Sequence, residues 1–208
     1  MMGIENFYTF LFAGIVLNLT PGADTIYIIS RSVAQGRRAG IASVLGIMTG
    51  SMIHTTFAAL GLSMMLATSA LAYEIVKYAG AGYLIYLGIK MLILKSDTFI
   101  TQNGIQEDRL IEIYRQGVLT NVLNPKVALF FLSFLPQFVN PQYTKGPLPF
   151  LLLGLTFTTT GTIWCLIVAY SSASLTKRLR QNQIPMKIMQ KICGFVFIFL
   201  GLQLAVRK

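Results

Sequence analysis

The sequence predicts an all-α integral membrane protein of six transmembrane helices, on three observations. Hydrophobic residues make up 54% of the 208 and charged residues only 12%, a balance that belongs to membrane chains rather than soluble domains. Six apolar stretches reach the roughly 20 residues that a helix needs to cross the hydrocarbon core. Lys and Arg gather in alternate connections between those stretches, as they do in short cytoplasmic loops.

The stretches cover residues 7–30, 40–67, 70–94, 117–139, 148–173 and 187–206. They leave little chain for a soluble domain, so residues 1–208 read as a single transmembrane unit. The N-terminal MMGIENFYTF carries Glu5 but no Lys or Arg; without a basic n-region, the first stretch is expected to stay in the mature protein.

The first connection holds Arg31, Arg37 and Arg38, the third Lys90, Lys95, Arg109 and Arg115, and the fifth Lys177, Arg178, Arg180, Lys187 and Lys191. The second connection has no basic residue and the fourth only Lys145. Both termini are therefore expected outside. The basic tail, Arg207 and Lys208, is discordant and leaves a five-helix or inverted arrangement open. The net charge of +10 comes with no basic face interleaved with aromatics, so nucleic acid is not an expected partner.

The first stretch is interrupted by Asn18-Leu19-Thr20-Pro21-Gly22-Ala23-Asp24. Pro21 cannot donate a backbone hydrogen bond and clashes with the preceding turn, which predicts a break, with Thr20 as the N-cap of a second half-helix. Asn124-Pro125 repeats the device in the fourth stretch. At about 1.5 Å of rise per residue, Pro21 and Pro125 lie about 13 and 12 Å from the cytoplasmic ends of their stretches at Ser30 and Gly117. Asp24 and Lys126, beside the breaks, lie about 9 and 14 Å deep. An ionisable group near the bilayer centre costs about 2.5–3.5 kcal/mol to insert, so two at comparable depth should pair or serve function. Asp24 complementing a helix dipole and Lys126 snorkelling along its stem would also account for them.

In the second stretch, Gly46, Gly50 and His54 recur at four-residue spacing. Small residues at this interval let helices pack closely, within one chain or between copies, so a homo-oligomer is open. Counted from Gly40, His54 lies about 21 Å from the cytoplasmic side, outward of the Asp24–Lys126 level. Packing and an outer proton path are its two readings. In the third stretch, Glu74 and Lys77 sit one turn apart as a rim ion pair, while Gly80, Gly82 and Gly88 read as packing glycines.

The connection 95–116 contains QEDRLIEIYRQ, whose Leu110, Ile111, Ile113 and Tyr114 form either the apolar face of a short surface helix or part of a solvated linker. The fourth stretch opens with GVLTNVLNP (117–125), which resembles GIVLNLTP (14–21). Each segment opens a set of three helices. The halves 1–94 and 117–208 would then be inverted repeats joined by a cytoplasmic loop, an arrangement in which transporters place their site between the halves. In the fifth and sixth stretches, Cys165 and Cys193 each stand alone, with no CxxC pair. Trp164, Phe130 and Phe131 read as lipid-facing or core residues.

NLTPGAD (18–24), the GxxxG at Gly46 and Gly50, GAGYLIYLGIK (80–90) and GVLTNVLNPKVALFFLSFLPQF (117–138) together resemble the LysE/RhtB family of bacterial amino-acid exporters. The resemblance spans nearly the whole chain. Family members commonly carry proline at the place of Ala23, so the break here depends on Pro21 and Gly22 alone. The resemblance implies export of amino acids or close derivatives across the cytoplasmic membrane, driven by the proton motive force. No phosphate-cradling GxxxxGK[ST] occurs, and no cofactor or metal is expected.

The expected substrate site comprises Asn18, Thr20, Pro21, Gly22, Asp24, Asn121, Asn124, Pro125 and Lys126, with Asp24 and His54 as proton-coupling candidates. The half-helix starts would hold the substrate carboxylate, and Asp24 its ammonium or the coupling proton. A single intramembrane acid points to neutral substrates such as homoserine, threonine or branched-chain amino acids. Two other readings stand beside this one. A thiol-disulfide electron carrier of the DsbD type would use Cys165 and Cys193, and a cation or metal exporter would need a denser ligand set than one His and one intramembrane Asp.

Overall fold

A computed structural model of the chain describes residues 3–62, 70–93, 108–140, 146–174 and 184–206. Seven α-helices lie among the described residues: α1 (Phe7–Leu19), α2 (Ala23–Phe57), α3 (Ala70–Ile93), α4 (Leu110–Val122), α5 (Pro125–Leu129), α6 (Leu148–Ser174) and α7 (Ile184–Val206). A wider π-type turn, Ala58–Leu62, prolongs α2; α5 runs on through the π-type turn Phe130–Phe134 into a tight 3-10 turn, Leu135–Phe138.

The architecture is that of an all-helical membrane protein. Ala23–Leu62 and Leu148–Ser172 are long and apolar enough to cross a bilayer, and Leu110–Val122 with Pro125–Phe138, bent by 47°, passes the same test as one span. Large apolar side chains face outward along the helices, among them Phe12, Phe57, Phe195 and Phe199. Hydrocarbon solvates such a belt, whereas water would drive it to aggregate.

The interior is an aromatic cluster. Phe10 of α1, Phe130, Phe131, Phe134 and Phe138 after α5, and Phe150 and Phe157 of α6 are all buried, with Phe130 stacked on Phe157 at 4.5 Å between ring centroids. This settles Phe130 and Phe131 as core residues. Around the cluster, α2 packs against α4 and α6, and α3 packs against α7. At the α3–α7 seam a β-carbon on Gly88 would lie 2.6 Å from the Gly194 carbonyl. Only glycine permits that approach of two backbones. Two main-chain hydrogen bonds, Glu5 N–H to the Phe138 carbonyl at 2.8 Å and Asn140 N–H to the Gly3 carbonyl at 2.9 Å, fasten the N-terminal segment beside the end of the 3-10 turn.

Two connections differ from the sequence expectation. The first is a connection, but a one-residue turn rather than a loop: the helical segments on either side carry Arg31, Arg37 and Arg38 and meet at Gly36, with φ 79° and ψ −170°, where the chain turns back so that a β-carbon on Gly40 would lie 2.2 Å from Ser32 Oγ. The flanking residues include no other breaker, and a single glycine at positive φ ends one helix and lets the next begin at once. The second concerns Leu110, Ile111, Ile113 and Tyr114, which belong neither to a separate surface helix nor to a linker. They form the first turns of α4. Ile113 is fully buried while Leu110 and Ile111 are exposed. The Arg109 N–H donates to Glu112 Oε2 at 3.1 Å, satisfying one of the donors that a helix start leaves open. Most of the preceding connection, residues 94–107, lies outside the described residues.

Candidate functional site

The end of α1, the start and the middle of α2, the α4–α5 junction and the middle of α6 line a cavity of about 40 Å³. A single water needs about 10–15 Å³ of such space, so in this form the cavity has room for a few waters. An amino acid would enter only if the walls moved. Of the nine substrate-site residues expected from sequence, Asn18, Asp24, Asn121 and Lys126 line it.

Asp24 sits in the first turn of α2, where a carboxylate complements the positive end of the helix. Its Oδ2 accepts from Asn121 Nδ2 of α4 at 2.8 Å. Its Oδ1 is buried and has no hydrogen-bond partner among the described residues. On the other side of Asn121, His54 Nε2 lies 3.2 Å from the main-chain oxygen, and the imidazole stacks on Phe131 at 5.6 Å between centroids. Asn121, itself 2% exposed, therefore touches both proton-coupling candidates.

This corrects the depth assigned to His54. That estimate set Gly40 level with Gly117. In the fold, a β-carbon on Gly46 would lie 3.0 Å from Gly117 Cα, so Gly46 is the residue level with Gly117. From that reference His54 stands eight residues, about 12 Å, further in, the same depth as Pro125. Gly117 is not the end of its helix: α4 begins seven residues earlier, at Leu110, so Gly40 and Gly117 do not mark one level.

Lys126 does more than snorkel. Its Nζ donates to the Leu17 carbonyl at 3.2 Å and the Thr20 carbonyl at 3.0 Å, placing a cation on the negative end of α1. A β-carbon on Gly22 would stand 3.2 Å from this ammonium, so the glycine leaves it room. Asn124 caps α5 by accepting the Lys126 N–H at 3.0 Å, with Pro125 in the first turn. The Asn124 Nδ2 is buried without a partner among the described residues.

Thr20 is placed differently from its expected N-cap role. It closes α1, its hydroxyl donating back to the Val16 carbonyl at 2.7 Å, and the N-cap of α2 is Gly22 in extended conformation with no side-chain cap. Pro21 lies between the two helices and belongs to neither. Asn18 ties α1 to α6, its Nδ2 donating to Thr160 Oγ1 at 3.2 Å and the Phe157 carbonyl at 3.4 Å.

The cavity also has walls that sequence reasoning missed. Ser51 of α2 and Thr158 of α6, both buried, share a hydroxyl–hydroxyl hydrogen bond of 2.8 Å. The run TTTGT in α6 hinted at a polar face inside an apolar helix, but its direction depends on packing. Cys165 lines the cavity as well; the side chain of Cys193 lies outside the described residues. Among the described residues no three His, Cys, Asp or Glu side chains come together as a metal site would require. Glu74 is exposed, and Lys77 lies 5.1 Å from the Tyr78 ring centroid.

Comparison with known proteins gives a consistent picture. The family model described as LysE type translocator matches residues 15–208. The chain is 31% identical over 207 residues, 100% of both chains, to an uncharacterized membrane protein of Vibrio cholerae. It is 31% identical over 193 residues, 89% of this chain and 91% of the other, to the uncharacterized membrane protein YrhP of Bacillus subtilis. It is 30% identical over 207 residues, 98% of each chain, to a homoserine/homoserine lactone efflux protein of Salmonella typhimurium. No solved structure matches the chain.

Proposed function

The chain belongs to the LysE-type translocators, multi-pass membrane transporters rather than enzymes, and from that premise we propose that it exports small neutral amino acids across the cytoplasmic membrane. Homoserine and its lactone are the first substrates to consider, since a relative covering 98% of the chain is named for their efflux; threonine and branched-chain amino acids are of the same class. The driving force is the proton motive force, and access alternates around the cavity between two inverted three-helix halves, six spans in all.

The observation that carries this reading is Asp24. Its carboxylate lines the cavity, one oxygen held by Asn121 and the other with no partner among the described residues. A buried carboxylate so arranged suits either a substrate ammonium or a transferable proton. In this reading the paired interruptions, Thr20-Pro21-Gly22 and Asn124-Pro125, are the hinge points of the two halves. Lys126 and the Asn124 amide face the substrate carboxylate, Asn18 forms the wall, and His54 passes protons through Asn121. Thr20, Pro21 and Gly22 serve by shape, keeping α1 and α2 apart.

Reconstituted vesicles test it. Wild-type protein should drive homoserine movement when a pH gradient is imposed, and Asp24→Asn should abolish the response to the gradient at equal protein content. Full gradient-driven transport by Asp24→Asn would exclude Asp24 as the coupling group. Transport that survives replacement of Cys165 and Cys193 by serine would exclude the thiol-relay reading.

A further inference from the structure

One and two turns along α2 from Asp24, on the same helical face, stand Tyr27 and Arg31. Residues three and seven apart project on one side of a helix, and their partners lie on α4 and, for Asp108, just before it. Asp24 meets Asn121. The Tyr27 hydroxyl donates to the Ile113 carbonyl at 2.6 Å. Arg31 Nη2 donates to Asp108 Oδ2 at 2.5 Å and to Gln116 Oε1 at 2.6 Å. A polar seam about 10 Å long thus leads from the cavity wall to the arginine-rich end of the molecule, the end that the distribution of basic residues assigns to the cytoplasm.

The Arg31 pair is unusual in two respects. Arg31 is only 9% exposed, so its guanidinium is a largely desolvated cation. Yet Asp108 engages it through one nitrogen only, sharing that nitrogen with Gln116, while Nη1 is buried with no hydrogen-bond partner among the described residues. Guanidinium binds carboxylate best as a two-pronged fork. Asp108 leaves one prong unused, so a mobile carboxylate that takes both has an energetic advantage over it. Tyr27 stands between this position and Asp24, its ring 3.4 Å from where a β-carbon on Gly117 would lie.

We propose that Arg31 is a loading site for the α-carboxylate of the exported amino acid on the cytoplasmic side, with Asp108 as an internal competitor that the substrate displaces. The proposal rests on the exporter reading of the Asp24 cavity. Displacing Asp108 frees the start of α4 from α2 and lets Tyr27 swing from the Ile113 carbonyl, opening the seam toward Asp24. Binding and opening are thereby one event. A competitor that occupies the site lowers apparent affinity by the fraction of molecules it holds.

Inverted vesicles carrying the full chain expose this side to the medium, so the test is uptake of labelled homoserine and of homoserine lactone, which has no free carboxylate. Arg31→Gln should raise the KM for homoserine about tenfold or more, as expected for losing hydrogen bonds to a charged group, and leave the KM for the lactone nearly unchanged. Asp108→Asn should move the homoserine KM the other way, below that of the wild type. A structural brace would make the two substitutions act alike, so KM shifts in the same direction, or equal effects on homoserine and lactone, overturn the proposal. If Arg31→Gln does not reach the membrane, Asp108→Asn decides alone: an unchanged or higher KM overturns it. Wild-type vesicles that take up neither compound overturn the exporter reading itself, and the loading site with it.

Discussion

Asn121 of α4 presses on Gly50 of α2 so closely that a β-carbon on the glycine would lie 2.7 Å from the asparagine Cβ and 2.8 Å from its Oδ1. That contact fixes the side chain that reaches Asp24 and the backbone that reaches His54. Close approach of two helices is therefore part of how the cavity is built.

Gly50→Ala should push α4 outward and lift Asn121 from Asp24, at a cost of about 1–3 kcal/mol as in other overpacked interiors. Efflux per folded molecule should fall along with thermal stability in detergent. Gly61→Ala is the control, because nothing lies within 4 Å of a β-carbon there, and it should leave both unchanged.

Local chemistry was legible in the sequence; relations between helices were not. Apolar content and the distribution of Lys and Arg indicated a helical membrane protein without any knowledge of packing, and the candidate residues Asn18, Asp24, Asn121 and Lys126 do line one cavity. Register across a seam was out of reach. Nothing in a single sequence says that Gly46 rather than Gly40 stands level with Gly117, and the error moved His54 about 9 Å from its position. The same holds for Lys126, whose ammonium settles on the carbonyls of α1, and for Arg31 and Asp108, 77 residues apart. The connection at Gly36 was expected, but not that it would be a single residue. Clustered arginines suggest a loop, but they are good helix formers, and one positive-φ glycine suffices to turn the chain.

Lys126→Met tests whether the ammonium serves the fold as well as the substrate. It would remove the cation from the Leu17 and Thr20 carbonyls, a loss of about 1–3 kcal/mol for buried acceptors deprived of a charged donor. The expected result is a lower melting temperature in detergent, in addition to any loss of transport. Unchanged melting would show that those carbonyls find other partners.

His54→Phe separates packing from proton transfer. The new ring can stack on Phe131 as the imidazole does, and the Asn121 carbonyl keeps the Asn124 N–H as a donor at 3.0 Å. The phenyl ring is larger than the imidazole, but His54 is only partly buried, so the loss of stability should stay at the low end for overpacking, about 1 kcal/mol. If His54 passes protons, homoserine efflux should lose its response to an imposed pH gradient while counterflow exchange persists. A full response to the gradient would confine His54 to packing.

The sharpest structural test lies on the other side of the molecule, where α3 meets the π-type turn. A β-carbon on Gly80 would fall 1.8 Å from Ser133 Cβ and 2.2 Å from its Oγ, a distance that no rotamer change relieves. Gly80→Ala should cost about 3 kcal/mol, the upper end for overpacking, because α3 must move. Ser133→Gly removes both offending atoms and leaves Ser133 Cα 3.3 Å away, tight but tolerable. The serine hydroxyl has no partner among the described residues, and the main-chain carbonyl that accepts Gln137 Nε2 at 2.6 Å is retained, so the second change should cost only the roughly 1 kcal/mol of placing glycine in a helical turn. The double variant should then be as stable as Ser133→Gly alone, a coupling of about 3 kcal/mol in a double-mutant cycle. Thermal aggregation of the membrane-extracted protein reads this directly: additive losses would mean that α3 and the turn do not meet through this pair.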